Sequence, residues 1–272
     1  MAGMGGQAGN LAQGGFSGAG GGGVVCAIKG DFDGDGTPDC ATVSSAKQLS
    51  FYKGVGAGGY QATAIVSSLP CWGSLTLPAV ADVDGDGRDD IVQTTNQSGL
   101  GYDAVLFLGQ SNGTFQCPTS ESSASFPRGF QPTYLSVTGD FTKDGRKDVF
   151  FVAVSGTMGS NQVQWIVFSG MTVGSNQLRM TATSVAFILG TCGAANPTSA
   201  QDLDADTNLD VVVSAQICGM GDAINTPQTI NVYGNGDGTF HCGGGQTVSR
   251  PNPTQQTGMW VCQSDGTYAA SN

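Results

Sequence analysis

The sequence predicts an all-β fold assembled from repeated small antiparallel sheets, and three observations carry that reading. An aspartate-rich signature returns four times, with first residues at 31, 82, 140 and 202. Each copy is followed by a β-branched run and, further on, by an apolar run that ends in a glycine turn. No convincing apolar period of 3.6 residues, the mark of an amphipathic helix, appears in the chain.

Taken in order, residues 1–23 are glycine-rich and lack an apolar period. Such a stretch cannot bury enough surface to offset its ordering entropy, so it is expected to be disordered on its own. The repeat domain is expected over 24–272. The signatures span 31–39, 82–90, 140–148 and 202–210, with spacings of 51, 58 and 62 residues. A period of that size points to a repeat architecture of about four to five units. The β-rich runs behind the signatures are Cys40–Ser44, Ile91–Thr95, Val149–Val154 and Val211–Ser214. Two later segments are nearly the same: Val105-Leu-Phe-Leu-Gly-Gln-Ser-Asn-Gly-Thr-Phe115 and Ile230-Asn-Val-Tyr-Gly-Asn-Gly-Asp-Gly-Thr-Phe240. Their Asn-Gly and Asp-Gly pairs supply the positive φ that a tight hairpin demands. Leu49–Tyr60 and Gln164–Leu178 are weaker counterparts. Each repeat therefore reads as about four short antiparallel strands, the blade of a β-propeller or propeller-like array.

The signatures themselves read as metal loops. They place side-chain oxygens at positions 1, 3, 5 and 9: Asp31, Asp33, Asp35, Asp39; Asp82, Asp84, Asp86, Asp90; Asp140, Thr142, Asp144, Asp148; and Asp202, Asp204, Asp206, Asp210. Hard divalent cations, calcium above all, take six to eight oxygen ligands. An EF-hand would need a glutamate at loop position 12 between two helices. Position 12 is Thr42, Gln93, Phe151 and Val213, and the flanks are β-branched, so a hairpin site is favoured. The first two loops should bind most tightly. The third loses a carboxylate at Thr142 and gains a cation in Lys143, and the fourth has Thr207 where the others have glycine.

The alternation of Gly-Asp-Phe-Asp-Gly-Asp-Gly with Leu-Gly-x-x-x-Gly-Thr-Phe resembles the FG-GAP/VCBS repeat family over roughly 24–242. That family includes the propeller of integrin α subunits and many secreted proteins. The resemblance implies calcium held in a β-hairpin, with the backbone carbonyl at position 7 as a further ligand. Those carbonyls belong to Thr37, Arg88, Arg146 and Asn208. Family propellers commonly have seven blades, against four clear signatures here.

Composition supports this picture. Of 21 acidic residues, 15 are aspartates at the loop positions, and Glu121 is the only glutamate. Four bound divalent ions would bring the formal charge from -11 to about -3. With only 10 lysines and arginines, a nucleic-acid partner is not expected. No apolar run is long enough for a membrane span. Eight cysteines, none in a Cys-x-x-Cys pair, suggest an oxidising, extracellular setting, and Cys26–Cys40 is the favoured bridge. The N-terminus shows no signal peptide, so a mature form or a fragment of a longer precursor is expected.

No catalytic set assembles: His241 is the only histidine, and there is no Gly-x-Ser-x-Gly elbow. Asp89, Asp103, Asp222, Asp237, Asp265 and Glu121 are the carboxylates that occupy no ligand position. Trp72, Trp165, Trp260, Tyr52, Tyr60, Tyr102, Tyr134 and Tyr233 serve either as packing between sheets, the commoner use, or as sugar-stacking platforms. Binding or assembly is therefore expected rather than catalysis, and the resemblance implies an adhesive or lectin-like role, recognition of a glycan or extracellular protein. Two alternatives stand: a filament or surface-layer subunit joined by strand addition, and the non-catalytic part of a polysaccharide-active enzyme.

Overall fold

The structure is a computed structural model that describes residues 26–44, 47–68, 78–97, 101–116, 123–155, 163–170, 178–183, 194–217, 226–244, 246–250, 258–264 and 266–271. The glycine-rich segment 1–23, together with Trp72 and Glu121, lies outside these residues.

Five antiparallel sheets follow one another along the chain, and each is a simple meander. The first contains β1 (Ile28–Gly30), β2 (Asp39–Val43), β3 (Gln48–Tyr52) and β4 (Ile65–Ser68). The second contains β5 (Ala79–Ala81), β6 (Asp90–Gln97), β7 (Gly101–Phe107) and β8 (Ser123–Ser125). The third contains β9 (Phe130–Gly139), β10 (Asp148–Ser155), β11 (Val163–Gly170) and β12 (Leu178–Thr183). The fourth contains β13 (Ala194–Gln201), β14 (Asp210–Ile217), β15 (Thr226–Gly234) and β16 (Phe240–Cys242). The fifth has three strands, β17 (Thr247–Arg250), β18 (Gly258–Cys262) and β19 (Tyr268–Ser271). Among the described residues there is no helix, and every signature joins the first two strands of its sheet.

The fifth sheet extends the repeat beyond the region where the sequence motifs are clear. Gln263 N–H donates to the Thr267 carbonyl at 2.8 Å, the same closure as Asn235 to Thr239 and Gln110 to Thr114. Tyrosine replaces the usual phenylalanine after this turn, and no aspartate signature precedes it, which is why the pattern is faint.

The core lies between successive sheets. Strand β10, Asp-Val-Phe-Phe-Val-Ala-Val-Ser, is apolar almost without interruption because both its faces are covered. Val149, Phe151 and Ala153 pack with Ala81, Val92 and Leu106 of the second sheet. Phe150 and Val152 point the other way, against Val211, Val213 and Ile230 of the fourth. A third cluster joins Ala41, Leu49 and Phe51 of the first sheet to Ile91, Val105 and Phe107 of the second. Trp165 is packing rather than platform: it is buried and stacks on Phe150 with centroids 6.1 Å apart. The leading strands also follow in sequence, β1 against β5, β5 against β9 and β9 against β13.

The two sequence motifs meet across sheet boundaries. Phe32 of the first signature packs edge-on against Phe115 of the second sheet's Gly-Thr-Phe, at 5.2 Å. Phe141 of the third signature meets Phe240 in the same way at 5.7 Å. Cys26–Cys40 is bridged, tying the entry of β1 to β2, as the sequence favoured. A second bridge, Cys242–Cys262, staples the fourth sheet to the fifth.

Glycines close the hairpins over the signatures. A Cβ on Gly109 would lie 2.5 Å from the Asp89 carbonyl oxygen and 2.8 Å from that of Phe32. Both obstacles are backbone, so the substitution must displace a loop. Gly109→Ala is expected to lose about 1–3 kcal/mol of unfolding free energy, as over-packed sites do. Gly244→Ala, where the added carbon meets nothing within 4 Å, serves as the near-neutral control. Urea denaturation of the two variants checks the difference, and equal midpoints would refute the close-approach account.

Candidate metal centres

Each signature folds into a compact loop because its own side chains saturate its backbone. The carboxylate at position 1 reaches across the turn. Asp31 Oδ1 accepts the N–H groups of Gly34 and Asp35 at 3.0 Å, and Oδ2 accepts that of Gly36 at 2.8 Å. Asp82 repeats the pattern with Gly85, Asp86 and Gly87. Asp140 holds Asp144 and Gly145, and Asp202 holds Ala205 and Thr207. Position 5 accepts the position 7 N–H in every loop: Asp35 from Thr37, Asp86 from Arg88, Asp144 from Arg146 and Asp206 from Asn208.

This winding requires left-handed backbone at two positions. Position 6 has φ of 82°, 86° and 85° at Gly36, Gly87 and Gly145, and 73° at Thr207. The β-branched Thr207 thus carries the strain its sequence position predicts. Position 4 is also left-handed, and there Lys143 and Ala205 stand where the first two loops have Gly34 and Gly85.

The position 9 aspartates, Asp39, Asp90, Asp148 and Asp210, are fully buried. Asp90 Oδ2 accepts the Val83 N–H at 3.0 Å, and Oδ1 accepts that of Gly109 at 3.0 Å. Asp39 does the same with Phe32 and Gly54, and Asp210 with Leu203 and Gly234. One carboxylate therefore ties the start of its loop to the hairpin glycine of the same sheet. In the third loop Asp148 Oδ2 accepts the N–H and hydroxyl of Thr142, while the buried Oδ1 receives no such bond.

Three loops gather carboxylate oxygens closely enough to share an ion. Asp31, Asp33 and Asp39, then Asp82, Asp84 and Asp86, then Asp202, Asp204 and Asp206 each bring three oxygens within 4.8 Å of one another. Ligands around one calcium stand at most about 5 Å apart, twice the 2.3–2.6 Å bond length, so these donor sets fit the ion. The hydrogen bonds within the loops leave lone pairs free, because a carboxylate offers about four acceptor sites. The third loop forms no such trio among the described residues, and its Thr142 turns inward to Asp148.

Cationic side chains already sit against these carboxylates. Lys53 pairs with Asp33 and, at 2.7 Å, with Asp35. Arg88 pairs with Asp86, and Arg146 with Asp144. In the fourth loop Asn208 contacts Asp206 at 2.5 Å, and Lys143 reaches across from the third loop to the Thr207 hydroxyl at 3.0 Å. Lys53 holds the Asp35 carboxyl below its usual range, and Asp33 and Asp35 in turn hold the Lys53 ammonium above its own.

The loops are also joined to each other. Asp89 N–H donates to the Asp31 carbonyl at 2.8 Å, Lys147 N–H to that of Asp82 at 3.1 Å, and Gly238 N–H to that of Phe141 at 3.0 Å. The first three signatures are therefore joined backbone to backbone, and the third is joined to the hairpin of the fourth sheet.

Residues 31–93 match the family model described as FG-GAP-like repeat, a span that runs from the first signature through the second and into β6. Over that span the chain is similar to the repeat its motifs resemble. No curated protein matches it. Among the described residues no helix is long and apolar enough to cross a membrane.

Burial sets the pH response of the metal-free loops. It pushes the Asp90 carboxyl up to about 8, with the Asp84 charge adding to the effect. Burial likewise raises Asp84 to about 6, helped by Asp86 and Asp82, and raises Asp148 to about 6. An unfolded aspartate titrates near 3.9. The folded state therefore holds these protons more tightly, so their contribution is full below about pH 4 and is lost as pH rises through 6 to 8. In chelator, the urea midpoint is expected to fall across that window. A midpoint that climbs from pH 5 to 8 would contradict the burial account.

Proposed function

We propose that this chain is an extracellular, calcium-stabilised, β-propeller-type repeat protein whose role is recognition rather than catalysis. The observation that carries this reading is the gathering of three carboxylate oxygens at shared-ion spacing in three loops built on one pattern. The first and second loops would hold calcium through Asp31, Asp33, Asp35, Asp39 and Asp82, Asp84, Asp86, Asp90, with Asp202, Asp204, Asp206 and Asp210 in the fourth. The carbonyls of Thr37, Arg88 and Asn208 complete the sets by resemblance. Oxygen-only ligands, without histidine or cysteine, suit a hard cation. The ion would neutralise mutually repelling carboxylates and displace the Lys53 ammonium and Arg88 guanidinium from them. The third loop, with Asp140, Thr142, Asp144, Asp148 and the Arg146 carbonyl, has one charge fewer and is the weakest. Two disulfides support an oxidising location. The sheet-by-sheet packing of leading strands supports a propeller-like array.

Calcium at tenfold excess over a site's dissociation constant stabilises by about 1.4 kcal/mol. Calcium titration by calorimetry is expected to show two tight sites and one weaker, and EGTA is expected to lower the melting temperature by several degrees. No heat of binding together with an unchanged melt would remove the metal reading.

The recognition surface we favour is the face of the leading strands. A bulge sets Thr133, Tyr134 and Leu135 opposite Val152, and Tyr134 stands 69% exposed. Bulges commonly re-aim a side chain beside a site. Next to it opens a shallow cavity of about 480 Å³, lined by Ala79, Val80, Leu135, Ser136, Val137 and Thr138 among others. Its walls combine apolar groups with hydroxyls and hold no charged side chain, which suits a neutral glycan. On a glycan array, Tyr134→Ala is expected to lower binding at least tenfold while the melting temperature and calcium affinity stay unchanged. Retained binding by the variant, or long polymers in place of monomers on size-exclusion chromatography with calcium, would turn the reading toward a filament subunit.

A further inference from the structure

We propose that Asp89 couples the first two cation sites, so that occupation of either loop raises the affinity of the other; the proposal rests on the calcium reading above. Asp89 is position 8 of the second signature, between Arg88 and the buried Asp90, and it belongs to neither carboxylate trio. Its Oδ2 accepts the Asp31 N–H at 2.8 Å, and its own N–H donates to the Asp31 carbonyl at 2.8 Å. These two bonds clamp the leading residue of the first loop to the closing turn of the second. Gly30 makes room for the clamp, because a Cβ there would lie 2.9 Å from Asp89 Oδ2. Gly109 covers it from the other side, with space for no Cβ above the Asp89 and Phe32 carbonyls.

The other junctions are built differently. Position 8 of the third loop is Lys147, whose N–H still reaches the Asp82 carbonyl but whose side chain cannot accept a bond in return. Position 8 of the fourth is Leu209, whose side chain lies over Gly139. Among the described residues the two-point clamp is therefore particular to the first pair of loops.

The coupling has a physical route in both ordering and charge. A cation in the second loop fixes the stretch from Arg88 to Asp90, and with it the backbone and carboxylate of Asp89. Asp31 is then held before the first loop meets its own ion, so the ordering entropy of the shared segment is lost only once. Two dications in adjacent loops repel each other. The Asp89 carboxylate, bonded to the first residue of the first loop and carried by the second loop, places a negative charge at their junction. Linkage makes the effect reciprocal.

The test is a calcium titration of the full chain followed through the backbone amides of Gly36 and Gly87, which donate to Asp31 and Asp82 respectively. In the wild type both resonances are expected to move over one calcium range with a Hill coefficient above one. Asp89→Ala removes the acceptor and is expected to separate the two curves, weakening the first site roughly tenfold, within the usual range of such couplings. Asp89→Asn keeps an acceptor oxygen without the charge and is expected to retain a joint transition with a lower Hill coefficient. Independent curves in the wild type, or a joint transition surviving in Asp89→Ala, would overturn the proposal. Should Asp89→Ala not fold, Asp86→Asn disables the second loop instead, and an unchanged Gly36 curve in that variant overturns it equally. If neither glycine responds to calcium, the metal reading itself fails, an outcome distinct from binding without coupling.

Discussion

A carboxylate sealed from water must be surrounded by donors, and the ninth residue of each signature meets that demand with backbone N–H groups. In the first, second and fourth loops, one oxygen holds the second residue of the loop and the other holds the glycine of the sheet's hairpin. The loop is thereby fastened to its own sheet from inside. The aspartates of the loop are thereby held close together, where their mutual repulsion invites a cation. The third loop shows the same constraint under weaker conditions. Asp148 draws on the Thr142 hydroxyl, no close carboxylate trio forms among the described residues, and Arg146 spans from Asp144 to the Gly170 carbonyl.

The alternation of the two motifs along the chain is the trace of a spatial contact. A signature aromatic from one sheet meets the Gly-Thr-Phe aromatic of the next, and the hairpin glycine admits the backbone of the loop beneath it. The metal loops, the hairpins and the apolar walls between sheets are consequently one construction. This is why Gly30 and Gly109 bear on loops to which they contribute no ligand.

Much of this was legible in the residues. The β-branched runs behind the signatures became β2, β6, β10 and β14, the strain at Thr207 followed from its counterparts in the other loops being glycine, and the Cys26–Cys40 pair followed from proximity on a hairpin. Other features were hidden for physical reasons. Lys143 and Ala205 adopt left-handed backbone without being turn-forming residues, because the hydrogen bonds of the loop override their preference. Asp89 looked like a spare carboxylate, since its partner Asp31 lies 58 residues away and only the fold brings them together. The oxygens at positions 1, 3, 5 and 9 look alike in the sequence, and nothing there reveals that the ninth is fully buried. The fifth sheet left only a faint trace in the sequence, because its turn, ending in Tyr268, has no aspartate loop before it.

Strand β10 is walled on both sides by its neighbours, and that arrangement bears on how the chain can be divided or have arisen. A middle sheet cut out alone would expose two greasy faces, with Phe150 on one and Phe151 on the other. Excision at a sheet boundary would therefore yield sticky pieces rather than independent modules. Growth by tandem duplication escapes this difficulty, since each added unit arrives with the surface that caps the last one.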